Sequence, residues 1–253
     1  MISWSKNRLR NLYYTLIPDH VAEGQFILPE KRLRTGGPEF KDDQYFIQSA
    51  LAEVNRLVNL CQLDEESNLL DIGCGFGRLA IGLKSELPRI SYVGVDVNSK
   101  AIDWCRKYVA QGLSNFEFIR LDVANLRYNP AGTEISEDFQ LPFEDGEFTT
   151  ANLYSVFSHM LAPDVQTYLR ELRRVVQQDG HIFFTAFAEP GVPDVSVNPP
   201  DYGDVEWEYD LHCVRFNHDF LMGMIAEADL QLDRFDYGQE TNGQSALYVS
   251  AKK

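Results

Sequence analysis

Three carboxylates close three apolar runs, and glycines follow the first of them at once. LLDIGCGFGRLA (69–80) reaches Asp71 and then breaks into Gly73, Gly75 and Gly77, with Cys74 between the first two. ISYVGVD (90–96) ends on Asp96, with Val97 next, and FEFIRLD (116–122) ends on Asp122, with Val123 next. Glycines two residues apart let a backbone approach a ligand where a Cβ would collide. A helix opening behind them offers unpaired N–H groups and the positive end of its dipole. An acid about 20 residues further on can accept from both hydroxyls of a ribose, because one carboxylate takes two O–H donors. His159, in SVFSHM (155–160), supplies a different chemistry. A neutral imidazole, with its unperturbed pKa of about 6.5, can take the proton of a hydroxyl at neutral pH. His212 and His218, which flank Arg215, are further candidates for that role.

These groups need alternating strands and helices to hold them. A helical stripe at 46, 50, 51, 54, 57, 58 and 61 leads into the first strand. The glycine turn opens a helix to about Leu87, stopped by Pro88. Ser99 is expected to cap a helix that ends at Gly112, and Pro163 with Asp164 to start another. FTTANLYS (148–155) reads as the fourth strand, and Asp179-Gly180 as the turn into a fifth, HIFFTAF. Asn217 is placed as the cap of a helix from His218 to about Ala228. LQLDRFDY and SALYVSA form two closing strands around Asn242-Gly243, a hairpin signal. Residues 188–216 fit no regular element: Pro190, Pro193, Pro199, Pro200, Tyr202, Trp207 and Tyr209 read as a long flap over the sheet's carboxyl edge.

DIGCGFG, VGVD, the Leu-Asp of the third strand, LPFEDGEF and YLRELRRVVQQDGHIFFTAF together resemble the class I S-adenosylmethionine-dependent methyltransferases over roughly residues 46–251. More loosely, RTGGPEF (34–40) and SVFSHM resemble a bacterial group acting on sugars or small secondary metabolites. The resemblance implies an α/β fold. Its core would be a seven-stranded, mostly parallel, doubly wound sheet with a C-terminal antiparallel hairpin and a flap insertion after strand 5. It implies S-adenosyl-L-methionine as cofactor, held at its methionine end by Gly73, Cys74, Gly75 and Gly77. Asp96 and Val97 would lie at the ribose, and Asp122 and Val123 would frame the adenine. Asp71 would order the glycine loop. Tyr154 would stand between cofactor and acceptor. The acceptor site would use His159 as base, with Trp207, His212, Arg215 and His218. The chain departs from the pattern at Thr149, where many relatives carry Asp, and in the long link at 125–138. Residues 1–45 would be an N-terminal extension able to act as a lid hinged at Gly36-Gly37, and 46–253 the methyltransferase domain.

Composition limits the partners. A net charge of -15 argues against nucleic acid, although residues 1–34 hold Lys6, Arg8, Arg10, Lys31, Arg32 and Arg34. Cys61, Cys74, Cys105 and Cys213 show no metal-ligand or redox spacing, so no metal and a reduced, cytoplasmic setting are expected. LYYTLIP is too short for a membrane span. The acceptor is expected to be a small molecule methylated on oxygen, with N-methylation as the alternative. A nicotinamide-dependent oxidoreductase shares the sheet, but the glycines run G-x-G-x-G and no hydride-transfer dyad accompanies them. A non-catalytic cofactor-binding module remains compatible with the same residues. NPPDY (198–202) and the pair Tyr248 and Lys252 mimic signatures of other enzymes, but they stand on the wrong elements.

Overall fold

Each apolar run that ends on a carboxylate forms a strand of one sheet. The computed structural model describes residues 18–125, 128–136, 138–200, 202, 207 and 209–252; Lys6, Arg8 and Arg10 lie outside them. A hairpin of β1 (His20–Glu23) and β2 (Phe26–Pro29) comes first, followed by short 3-10 turns at Lys31–Leu33 and Pro38–Lys41. Next come α1 (Asp43–Leu60), β3 (Asn68–Ile72), α2 (Arg78–Glu86), β4 (Ser91–Asp96), α3 (Ser99–Tyr108) and β5 (Phe116–Arg120). The second half holds β6 (Phe148–Leu153), α4 (Ala162–Val175), β7 (Val176–Glu189), β8 (Val195–Val197), β9 (Val214–Asn217), α5 (His218–Glu227), β10 (Leu230–Asp236) and β11 (Ser245–Ala251).

Seven strands lie in the order β10-β11-β7-β6-β3-β4-β5. Pairs among β3, β4, β5, β6 and β7 are parallel, whereas β11 runs antiparallel to both of its neighbours. Alternation along each strand sends residues to two layers. Leu69, Tyr92 and Phe183 join Leu57, Leu79, Leu83 and Ile102 beneath α1–α3. Leu70, Ile182, Phe184 and Leu247 join Leu169, Leu172, Leu221 and Ile225 beneath α4 and α5. All-parallel neighbours put the carboxyl ends of β3, β4, β5 and β6 along one edge.

Several boundaries differ from the sequence expectation. Residues 188–216 are not irregular throughout: β9 runs parallel beside the end of β7, and β8 pairs antiparallel with β9. The reason is that β7 is 14 residues long and outruns its neighbours, leaving an edge that Arg215, Phe216 and Asn217 join. Asn98, not Ser99, caps α3, its side chain accepting from Lys100 N and Ala101 N. Its amide oxygen already sits one residue earlier, in extended backbone, where a cap must be. Asp179-Gly180 lies inside β7, at the irregular step between the pairs Phe148–Val176 and Thr150–His181. Asn217 caps α5 as expected.

Candidate active site

The glycine loop is hung from β4. Gly73 N and Cys74 N both donate to Val95 O, at 2.8 and 3.1 Å. Gly75 N donates to Asp96 Oδ2 at 2.8 Å, and Asn98 N to Asp96 Oδ1 at 2.7 Å. Gly73, Gly75 and Gly77 all have positive φ, at 75°, 52° and 74°. Their surroundings differ. A Cβ on Gly73 would lie 2.5 Å from Val156 Cγ2, and one on Gly77 would lie 3.0 Å from Cys105 Sγ. A Cβ on Gly75 would meet nothing within 4 Å. The outer two glycines therefore permit tight packing of the loop, while the middle one faces open space at the mouth of α2. Burial raises the Asp96 carboxyl above its ordinary range, and burial also raises the Cys74 thiol well above its own. A raised thiol is a poor nucleophile, so Cys74 serves by its size.

Asp71 does not face that space. Its side chain accepts from Tyr92 OH at 2.7 Å and from Asn152 Nδ2 at 2.8 Å, and it is buried. Burial, with Glu53 nearby, pushes its carboxyl up to about 7. Asn152 Nδ2 also reaches Glu53 Oε1 at 3.3 Å, and Arg78 Nη2 closes on Glu53 Oε2 at 2.5 Å. Arg78 is the first residue of α2, so this network ties the loop to α1 and β6. Its guanidinium also lies over the rings of Phe40 and Tyr154, 5.5 and 4.9 Å from their centroids.

One strand further along, Asp122 is exposed and Val123 buried. The link after β5 folds back on this strand end. Asn129 Nδ2 donates to Asp122 Oδ1 and to Val123 O, both at 3.0 Å, and Ala124 N donates to Thr133 O at 2.7 Å. Val97 is half-buried beside Asp96.

At the end of β6, a 3-10 turn over Phe157–His159 carries the candidate base. His159 Nδ1 lies 3.1 Å from Leu211 O. A carbonyl can only accept, so Nδ1 carries a proton, and in the neutral ring the lone pair is on Nε2. That contact also brings the flap onto this turn. Trp207, Tyr209 and His212 follow as a cluster: the His212 ring stacks on Tyr209 at 4.2 Å and meets Trp207 edge-on at 5.5 Å. Tyr154 OH is 3.1 Å from Glu240 Oε2 and 2.8 Å from Thr241 Oγ1, both in the β10–β11 connection.

The structure thus gathers Gly73, Cys74, Gly75, Gly77, Asp96, Val97, Asp122 and Val123 along the ends of β3–β5. It gathers Tyr154, His159, Trp207 and His212 above β6 and β7. Two residues expected at the acceptor fall elsewhere. Arg215 is buried in β9 with its guanidinium 3.5 Å from Glu189, because β9 turns that position inward. His218 opens α5, bonded to Asp219 at 2.8 Å and packed edge-on against Phe235 of β10. Glu53, Arg56, Arg78, Asn152 and Glu240 were not anticipated. A signal existed for two of them, since Glu53 sits on the apolar stripe of α1 and Asn152 inside an apolar strand. Among the described residues, no group of three or more His, Cys, Asp or Glu is placed to hold a metal ion.

A doubly wound sheet with one antiparallel strand at this position, and a glycine loop facing an acid across the first two carboxyl ends, is the fold of the class I S-adenosylmethionine-dependent methyltransferases. Residues 70–184 match the model of the methyltransferase domain family. The fatty-acid O-methyltransferase of Mycolicibacterium smegmatis is 28% identical over 147 residues, which are 58% of this chain and 43% of that protein. The chain spans less than half the length of the curated relatives it matches first. Among solved structures, a Pyrococcus horikoshii protein superposes with a TM-score of 0.57 over 95% of this chain and 99% of its own, at 16% identity. The 4+2 cyclase SpnF superposes at 0.58 over 87% of this chain and 84% of its own, at 15% identity. Likeness at that identity concerns the fold alone.

Proposed function

We propose that the protein transfers a methyl group from S-adenosylmethionine to a hydroxyl oxygen of a small acceptor. The observation that carries this reading is the open position at Gly75 directly beside the Asp96 carboxylate, a cradle that a Cβ would fill. The residues fit the cofactor: Gly73, Cys74, Gly75 and Gly77 would hold its methionine end, Asp96 its ribose, and Asp122 with Val123 its adenine. When bound, the cofactor supplies a methyl on a sulfonium, already activated toward in-line displacement. The protein's task is alignment, which alone can supply several kcal/mol of the acceleration. His159 Nε2 takes the proton of the acceptor hydroxyl, while Leu211 O holds the ring in the tautomer that allows it. Such a base contributes about 10²–10⁴-fold.

The segment ahead of α1 acts as cover for this site. Arg34 is buried and donates to Pro29 O, Phe40 O and Asp43 Oδ1, and Phe40 is buried under Arg78. Deletion of residues 1–40 should weaken cofactor binding in a chain whose sheet still folds; an unchanged dissociation constant removes the cover from the proposal.

Two measurements test the main reading. Calorimetry should show binding of S-adenosylhomocysteine, and absence of binding at millimolar ligand would end it. Release of S-adenosylhomocysteine during turnover separates methyl transfer from other chemistries that the fold hosts, such as the cyclase above.

A further inference from the structure

Three segments converge above the ends of β6 and β7: the turn carrying His159, the flap, and the β10–β11 connection. Side chains fix the flap in place. Asn198 N and Nδ2 donate to Cys213 O and Tyr209 O, and its Oδ1 accepts from Cys213 N. Trp207 Nε1 donates to Pro199 O at 3.1 Å, and Tyr202 OH to Asn242 O at 3.0 Å. The result is a continuous ladder of rings. Phe187 meets Tyr202 at 5.1 Å, Tyr202 meets Trp207 at 6.1 Å, Trp207 meets His212 at 5.5 Å, and His212 stacks on Tyr209. Phe187 is buried, but the other four rings are only half-buried, unlike a core cluster. They present preorganised π faces one residue away from the carbonyl that holds His159.

The charges around the ladder are arranged in one sense. Among the described residues, Arg56 is matched with Glu240 at 2.9 Å and Arg78 with Glu53 at 2.5 Å, and Arg215, in β9, with Glu189 at 3.5 Å. The sequence has no lysine between Lys107 and Lys252. Of the described residues in 188–216, Glu189, Asp194 and Asp210 are acids and Arg215 is the only Lys or Arg. An anionic acceptor would have to shed water next to rings and carboxylates with no spare cation among the described residues to meet it, a costly desolvation. A neutral ring meets π faces, and a protonated amine meets π faces within a negative field.

Resting on the methyl-transfer reading, we infer that the acceptor is a ring-bearing hydroxyl compound without an anionic group, held flat against the Tyr202–Trp207–His212–Tyr209 ladder. A charge-matched series tests it: 4-ethylphenol, 4-hydroxyphenethylamine and 4-hydroxyphenylacetate, with dodecanoate as an aliphatic anion. Binding is read by Trp207 fluorescence on protein saturated with S-adenosylhomocysteine, and Trp207→Phe identifies that signal. The phenol and the amine should bind about tenfold or more tightly than the carboxylate twin. The amine's advantage should shrink as salt rises from about 0.05 to about 0.5 M. Trp207→Leu, followed by calorimetry because the fluorophore is gone, should weaken both by several-fold while leaving S-adenosylhomocysteine affinity unchanged. Equal or tighter binding of 4-hydroxyphenylacetate or dodecanoate overturns the proposal. So does the absence of saturable binding by the phenol and the amine up to about 10 mM. Calorimetry with S-adenosylhomocysteine, done first, keeps the two readings apart: failure there indicts methyl transfer, not the acceptor's chemistry.

Discussion

The two halves of the carboxyl edge are built by different means. On the β3–β4–β5 side, the groups proposed for the cofactor are backbone N–H donors, three left-handed glycines and one carboxylate, all within a few residues of a strand end. On the β6–β7 side, the groups proposed for the acceptor are side chains drawn from three separate stretches and held by contacts such as Tyr154–Glu240 and Tyr202–Asn242. On the proposed reading, the first half would hold a shared cofactor with parts that local sequence dictates. The second can change its ligand by exchanging side chains without disturbing the sheet, which is how one fold serves many reactions.

The sharpest way to break the first half alone is Gly75→Val. The new side chain would project into open space, so the domain should fold, with about 1–2 kcal/mol of left-handed strain. Binding of S-adenosylhomocysteine should disappear from calorimetry; retained affinity would mean that the cofactor does not approach this loop. His159→Gln attacks the other half. It should lower turnover by about 10²-fold with cofactor affinity intact, and near-full activity from about pH 6 to 9 would leave positioning as the mechanism. A milder cut is Glu240→Gln, which keeps the shape of the contact to Tyr154 but removes the charge facing Arg56. The KM of the acceptor should rise about fivefold, with the cofactor constant unmoved. A rise in both constants would show that the two halves are mechanically one.

The smallest effect concerns Asp71 and appears as stability. Its carboxyl, ordinarily near 3.8, titrates at about 7 in the folded protein because burial, and then Glu53, disfavour the charge. Between those values the folded state holds a proton that the unfolded chain has lost. The contribution is therefore fully present below pH 3.8 and is lost as the pH rises toward about 7. Asp71→Asn removes this titration. Its melting temperature relative to the parent should climb through that window and level off above it, and a flat difference would place the proton elsewhere.

This contrast also decides how much could be read from the chain. The strands, the glycine loop, Asp96 and Asp122 follow from short-range patterns, because apolar runs, a tight turn and an acid are adjacent in sequence. The same holds for Asn217 as a cap. What stayed hidden depends on residues far apart in the chain. β9 forms only because β7 extends past its neighbours, and Glu240 matters only because the connection holding it folds over Tyr154. Arg215 and His218 look equivalent to His212 in sequence. The register of β9 turns Arg215 toward Glu189, and the start of α5 carries His218 to Phe235. Glu53 and Asn152 were legible in principle, since a polar residue on a buried stripe needs a partner. Asp71, itself at the end of an apolar run, was that partner.

The position of β11 has a consequence for how the molecule is made. It lies inside the sheet, between β7 and β10, yet it is the last of the eleven strands to be synthesised. Until residues 245–251 leave the ribosome, the edge of β7 that carries Ile182, Phe183 and Phe184 has no permanent neighbour, and β10 has nothing to join. At about 5–20 residues per second, roughly 60 residues of chain separate the appearance of β7 from that of its partner, so the bare edge persists for seconds. An unpaired apolar edge is a template for pairing with other chains. Nascent or shortened forms lacking β11 should therefore depend on chaperones and aggregate through β7, even though every residue proposed to face the cofactor has already been made.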